Sequence, residues 1–289
     1  MIKSFSRPAI ALDGSTKYVA TADDGTCFEL VYFPWPGEET VCMSAQAGCG
    51  YGCLHCATTF ANTRFQRSLT GPEIVSAVSH VARMHGGADL VTVDFSGTGD
   101  SSRNWVNVSN GCQQMLARNL CRTVTITSVA PKNWVSRLLA DDAWLPAGFL
   151  FSLHGATLAK RRSVVAFAED PVRALPGWAL VSQRCPVTLN YVMHSANTGP
   201  EDVDALAELL RGYCNFAALR LTPLNAVPGS DLNSATNDDQ FTDQLRRALP
   251  DWTIKVAQPF GDDIDAACGQ LRVRSRSDLI ARQPAWAHR

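Results

Sequence analysis

From about residue 40 onward, short runs rich in β-branched and aromatic residues alternate with stretches whose apolar residues fall three and four apart. That alternation confines the chain to α/β architectures. Strands are expected at 40–45, 90–95, 123–127, 149–153, 187–193, 219–222 and 253–257, and helices at 72–84, 107–117, 131–139, 201–211 and 239–249. Within 201–211, Val203, Leu206, Ala207 and Leu210 share one face. The helix at 72 has Thr70 as an N-cap and Pro72 in its first turn. Near-continuous apolar strands point to a parallel sheet covered by helices. Periodicity does not separate a partial (β/α) barrel from a doubly wound open sheet.

The first forty residues read differently. Segments 17–21 and 27–33 flank Asp23-Asp24-Gly25, a turn sequence that joins antiparallel strands. The expected organisation is therefore a small hairpin extension over 1–38, followed by the main unit over 39–289. Residues 223–230 read as a loop after a strand, and no internal repeat interrupts the pattern.

Composition removes several functional classes. With 46% hydrophobic and 18% charged residues in 289, the chain can bury a substantial core and is not a disordered segment. No apolar run reaches the roughly 18–20 residues of a membrane span. Residues 1–12 lack the apolar stretch of a secretory signal, so a cytoplasmic protein with no membrane partner is expected. Lys and Arg number 26 against 27 Asp and Glu, and a net charge of −1 gives no overall field to gather polyanions. Two basic runs, Lys160-Arg161-Arg162 and Arg272, Arg274 and Arg276, are either phosphate contacts or solvated faces.

Ten cysteines in a reducing compartment are ligands, nucleophiles or core fillers rather than disulfides. Cys112, Cys121, Cys185 and Cys214 sit in mixed apolar segments and read as small buried hydrophobes. Cys49, Cys53 and Cys56 are different. The segment GCGYGCLHCATT offers three thiols from one loop, with Gly48, Gly50 and Gly52 letting it close around a bound group. Zinc would need a fourth ligand, for which His55 or Cys42 is available. A [4Fe–4S] cluster held by three thiolates would keep one iron open to an outside ligand.

This spacing after a first β-strand resembles the radical SAM superfamily. Three segments narrow the resemblance: TVCMSAQAGCGYGCLHCATT, RFQRSLTGPEIV and, far downstream, IKVAQPFGDDIDAACGQL. Together they resemble the RlmN/Cfr family of adenine-carbon methyl synthases, over about residues 12–271. The resemblance implies a partial (β/α)6 barrel, S-adenosylmethionine (SAM), a [4Fe–4S] cluster and a flavodoxin-type electron donor. It assigns the cluster to Cys49, Cys53 and Cys56, and SAM contacts to Gly99, Asp100, Thr125, Ser152, Leu153, His154 and Asn225. It makes Cys268 the thiol that stores a methyl group as a thioether. Activated by an adenosyl radical, that methyl joins an electrophilic ring carbon and tethers the acceptor to the protein. Glu29 would accept the ring proton, and Cys42 would release product by attacking the Cys268 sulfur, forming a disulfide.

Each assignment has a structural counterpart reading. His154 is also a plausible core histidine, Ser152 and Thr125 are strand hydroxyls, Asn225 is a turn former, and Glu29 is an exposed residue on an edge hairpin. Asp262, Asp263 and Asp265 are either a solvated acidic turn or a support for Cys268. The chain departs from the family at SGTGDSS, residues 96–102, where members usually read MGMGEP. Asp100 keeps a carboxylate there, one methylene shorter. The family's RNA-gripping domain ahead of the hairpin is not expected. A small purine-like or other heteroaromatic acceptor is therefore the first expectation. Adenine in ribosomal or transfer RNA, a radical SAM enzyme of different outcome, and a metal-stabilised binding module are the alternatives.

Overall fold

The computed structural model describes residues 1–35, 37–61, 65–86 and 90–271. The chain opens with β1 (Ile2–Phe5), β2 (Ala9–Ile10), β3 (Thr16–Ala22) and β4 (Cys27–Phe33), which pair antiparallel on β3 and continue into β5 (Thr40–Met43). A two-stranded ribbon of β6 (Gln46–Ala47) and β7 (Arg67–Ser68) brackets the cysteine loop and the short α1 (Ala57–Phe60). Then α2 (Gly71–Met84), β8 (Leu90–Phe95), α3 (Trp105–Ala117), β9 (Cys121–Ser128), α4 (Lys132–Leu138) and β10 (Gly148–Ser152) follow. Next come α5 (Leu158–Arg162), α6 (Pro171–Ser182), β11 (Val187–Met193), α7 (Pro200–Leu210), β12 (Ala218–Pro223), α8 (Asp238–Ala248) and β13 (Ile254–Val256). Spatial order runs β1-β3-β4-β5-β8-β9-β10-β11-β12-β13, and every neighbouring pair from β5 onward is parallel. This is a partial (β/α)6 barrel with an antiparallel extension on its first strand and one further parallel strand, β13, at its end.

The strands are not continuously apolar, as the sequence reading expected; they alternate. Val93, Val124, Ile126, Phe149, Phe151, Leu189, Tyr191, Leu219 and Leu221 point outward into one apolar core beneath the helices. That core receives Ile74 and Val78 from α2, Trp134 from α4, Trp178 from α6 and Phe241 from α8. The inward positions carry Thr92, Asp94, Thr125, Thr127, Ser152, Arg220 and Thr222, which line a cavity. A polar inner face costs nothing where it meets solvent or ligand instead of another apolar layer. Hydroxyls bridge neighbouring strands across it, Thr92 to Thr123 at 2.9 Å and Thr222 to Asn190 at 2.8 Å.

Local chemistry explains the helix boundaries. Thr70 caps α2 through a reciprocal box: its hydroxyl accepts from Glu73 N–H at 3.3 Å, and the Glu73 carboxylate accepts from Thr70 N–H at 2.9 Å. Helix α6 went unforeseen because Pro176 and Gly177 interrupt its pattern. Its packing compensates, with Trp178 buried and its indole N–H donating to the Ala130 carbonyl at 3.0 Å. Among the described residues, no helix is long and apolar enough to cross a membrane.

Candidate active site

At the open end of the barrel a cavity of about 370 Å³ collects most of the singled-out residues. Cys49, Cys53 and Cys56 line it from the loop after β6, Cys42 from β5, and Cys268 from the segment after β13. Gly99, Asp100, Thr125, Ser152, His154 and Asn225 complete the inventory. Cys42 and Cys268, at opposite ends of the barrel sequence, thus share one space.

The cysteine loop is held by its own backbone. Cys56 N–H donates to the Cys53 carbonyl at 3.1 Å, the Thr59 hydroxyl donates to the same oxygen at 2.8 Å, and Gly48 and Gly52 take positive φ. Burial pushes the Cys49 thiol up to about 11 and the Cys53 thiol well above its ordinary value, and repulsion from Cys56 adds to both. A cationic metal centre reverses that preference and binds the thiolates. Three thiols from one loop, all lining one cavity, are the donor set of a three-thiolate [4Fe–4S] centre, each thiolate reaching a different iron. His55, inside this loop, is half-buried, its pKa lowered to about 4 by desolvation and then by His194. Its ring packs edge-to-face on His154 at 4.8 Å.

The glycine turn 97–99 is a steric requirement. A β-carbon at Gly97 would meet the Met43 backbone at 2.9 Å, and one at Gly99 would meet the Gln46 side chain at 2.5 Å. Asp100 follows, buried, and accepts from the Ser102 N–H and hydroxyl at 2.9 and 2.6 Å, the Ser128 hydroxyl at 2.7 Å and the Val129 N–H at 2.8 Å. Its carboxylate therefore organises the cavity wall as well as facing it. Thr125 is a strand hydroxyl already spent, donating to Asp94 at 2.6 Å. His154 takes a φ of 54° and accepts the Val192 N–H at Nδ1, 3.1 Å. Burial drives its pKa far down, so the ring is a neutral acceptor at the cavity edge.

Two assignments fall outside the cavity. Leu153 is fully buried in the apolar core, because the residue after inward-facing Ser152 must point the other way. Glu29 is neither exposed nor on an edge: it is 2% exposed on β4, between β3 and β5, with Lys17 Nζ at 3.4 Å. Its carboxylate does not reach the cavity lining. The basic run also reads differently. Arg161 is buried and donates to the carbonyls of Glu169, Val129 and Ser152, while Lys160 pairs with Asp202 at 3.0 Å, so both are structural. Arg272, Arg274 and Arg276 lie outside the described residues. Cys112, Cys121 and Cys185 are buried as expected, but Cys214 is exposed.

The acidic turn supports the Cys268 segment. Asp263 accepts the Leu12 N–H at 3.0 Å, and Lys17 Nζ donates to the Asp265 carbonyl at 3.0 Å. Asn225 donates to the Cys268 carbonyl at 2.9 Å, and Thr58 to the Leu271 carbonyl at 2.8 Å. Cys268 is exposed and lines the cavity; desolvation raises its pKa, Arg220 lowers it and Asp94 raises it. Sequence reasoning missed Asp94, Ser96 and Arg220, although an acid or a guanidinium at an inward register of an apolar strand was a readable signal. It also missed an aromatic wall of Phe33, Trp35 and Phe260, with ring centroids 4.9 and 5.0 Å apart.

A six-unit barrel whose mouth gathers three loop thiols, a glycine turn and two further cysteines defines a radical SAM methyltransferase. A solved radical SAM methyltransferase from Sphaerobacter thermophilus superposes with a TM-score of 0.82 at 26% identity, covering 93% of this chain and 81% of that one. The dual-specificity RNA methyltransferase RlmN of Halorhodospira halophila is 33% identical over 94% of this chain and 77% of its own length. A probable RlmN of Deinococcus deserti is 31% identical over 91% and 78%. The chain belongs to the RlmN family, and SAM and a [4Fe–4S] cluster are its cofactors. No protein-family model matches it.

Proposed function

We propose that this enzyme methylates a ring carbon of adenine in RNA through an S-methylated Cys268. The observation that carries the reading is the presence of Cys268 and Cys42 in one cavity with the three loop thiols. The relatives named as RNA methyltransferases favour RNA over the small heteroaromatic acceptor that the charge balance suggested. Net charge is a weak guide here, because a local site need only neutralise the few phosphates it touches.

Cys49, Cys53 and Cys56 hold the cluster, and Gly99, Asp100, Ser152, His154 and Asn225 border SAM. With electrons from a flavodoxin-type donor, cluster and SAM supply the one-electron chemistry that activates the methyl group. Cys268 stores that group as a thioether and then carries the acceptor covalently. Asn225 and Thr58 hold the segment so that its sulfur stays at the cavity. Cys42 removes the protein from the product by attacking the Cys268 sulfur. The Phe33, Trp35 and Phe260 wall gives an unstacked base a surface to lie on.

The test is anaerobic incubation of cluster-loaded enzyme with SAM, reductant and ribosomal or transfer RNA, followed by nucleoside mass spectrometry. A carbon-methylated adenosine is expected. RNA left unmodified by enzyme that methylates a free purine would return the reading to a small acceptor.

A further inference from the structure

Behind Cys42 stands a chain of hydrogen bonds that the proposed chemistry leaves unused. The Cys42 sulfur lies 3.4 Å from Ser96 Oγ, and Ser96 Oγ donates to Asp94 Oδ2 at 2.5 Å. Thr125 donates to the other carboxylate oxygen at 2.6 Å, fixing the plane of the carboxyl group. Cys42, Ser96, Asp94 and Cys268 all face the same cavity. The geometry points to a proton relay in which Ser96 takes the proton of Cys42 as its sulfur attacks Cys268, with Asp94 as the positioning residue that drives Ser96. This inference rests on the proposed pairing of Cys42 with Cys268.

The chemistry calls for such a relay. Cys42 is packed among Val31, Phe33, Ala266 and Leu271, and the titratable groups acting on it are Asp94 and Cys268. Burial first, and the Asp94 charge second, hold its thiol far above the ordinary value. Little free thiolate exists near neutral pH, so the proton must leave during the attack. It passes from sulfur to Ser96 Oγ while the Ser96 proton passes to Asp94. The Cys42 electron pair forms the S–S bond, and the bond between the Cys268 sulfur and the acceptor's methylene carbon breaks. Its pair stays on that carbon, which recovers the relayed proton and becomes a methyl group. The Cys42 thiol and the Cys268 thioether sulfur together lose two electrons as they become a disulfide and the acceptor carbon gains them, so no outside oxidant is needed.

The opposing account is that Asp94 acts only through its charge. The two differ in sign. A bare negative field disfavours thiolate, so neutralising Asp94 would speed attack by Cys42; removing a relay slows it. The experiment uses cluster-loaded enzyme with unmethylated Cys268, in a Cys214→Ser background because Cys214 is also exposed. An aromatic disulfide reagent caps Cys268, and attack by Cys42 then releases a coloured thiolate and leaves a Cys42–Cys268 disulfide, identified by peptide mapping. Asp94→Asn and Ser96→Ala are expected to slow that release by about a hundredfold, and Ser96→Thr to restore it. An unchanged or faster release in Asp94→Asn overturns the relay. Should Asp94→Asn not fold, an undiminished rate in Ser96→Ala overturns it equally. If the wild-type enzyme forms a disulfide from Cys268 to some other cysteine, the pairing itself fails, and the relay with it.

Discussion

A β-carbon placed on Gly269 would stand 2.5 Å from the carbonyl oxygen of His55, well inside contact distance. Gly269 also has a φ of 80°, and its own carbonyl accepts the Ala57 N–H at 2.6 Å. The segment bearing Cys268 therefore rests backbone-to-backbone on the loop bearing Cys53 and Cys56. Only glycine permits that approach.

Gly269→Ala should displace this segment while sparing the barrel. Left-handed strain and the contact together cost about 1–3 kcal/mol locally. Peptide mass spectrometry should show methylation of Cys268 reduced at least tenfold, with the thermal midpoint little changed. Full methylation in the variant would mean that the segment tolerates a side chain here, contrary to the packing described.

Under the proposed chemistry, Cys42→Ala should separate storage of the methyl group from release of product. The variant should methylate Cys268 normally, then accumulate acceptor covalently attached to it. Intact-protein mass spectrometry reads that adduct directly. Free methylated product at the wild-type rate would remove Cys42 from the release step.

How far the sequence carried these conclusions depended on whether the signal was local. The Cys49–Cys56 spacing, the Thr70 cap and the strand Val187–Met193 rest on neighbouring residues and were legible at once. The position of Leu153 was a matter of register, since one residue decides whether a side chain meets cavity or core. Glu29 was misjudged because a hairpin looks like an edge until β5 pairs with it. Arg161 was unreadable for a related reason: its three carbonyl partners, on Glu169, Val129 and Ser152, lie beyond the reach of any local pattern, and a buried guanidinium bonded to backbone leaves no trace in composition.

Asp100→Ala should damage the cavity wall beyond any loss of ligand contact. It leaves the buried Ser128 hydroxyl and the Val129 N–H without the acceptor they use at 2.7 and 2.8 Å. Each unmet group costs about 1–3 kcal/mol, so a drop of about 2–6 kcal/mol in unfolding free energy is expected. Denaturant titration of cofactor-free protein measures this. Asp100→Asn, which keeps one acceptor oxygen, should lose less. Equal stability of wild type and Asp100→Ala would show that the carboxylate serves ligand alone.

Arg67 links the hairpin extension to the barrel and gives the fold a dependence on pH. Its guanidinium grips both carboxylate oxygens of Glu73 at 2.8 and 2.9 Å and reaches Asp24 in the β3–β4 turn at 2.7 Å. Burial alone would raise the Glu73 pKa, but Arg67 and Thr70 outweigh it and hold the carboxyl below its ordinary value. A carboxyl lowered on folding stabilises the native state fully above its unfolded value, about 4.3, and loses that stabilisation as pH falls through the folded value. Arg67→Ala should cost about 1–3 kcal/mol at neutral pH, since it strands a buried carboxylate. The deficit should shrink as Glu73 becomes protonated in acid. Thermal midpoints of the two proteins, compared at about pH 7 and about pH 4, should therefore converge; a gap that stays constant would place the contribution of Arg67 in packing instead of charge.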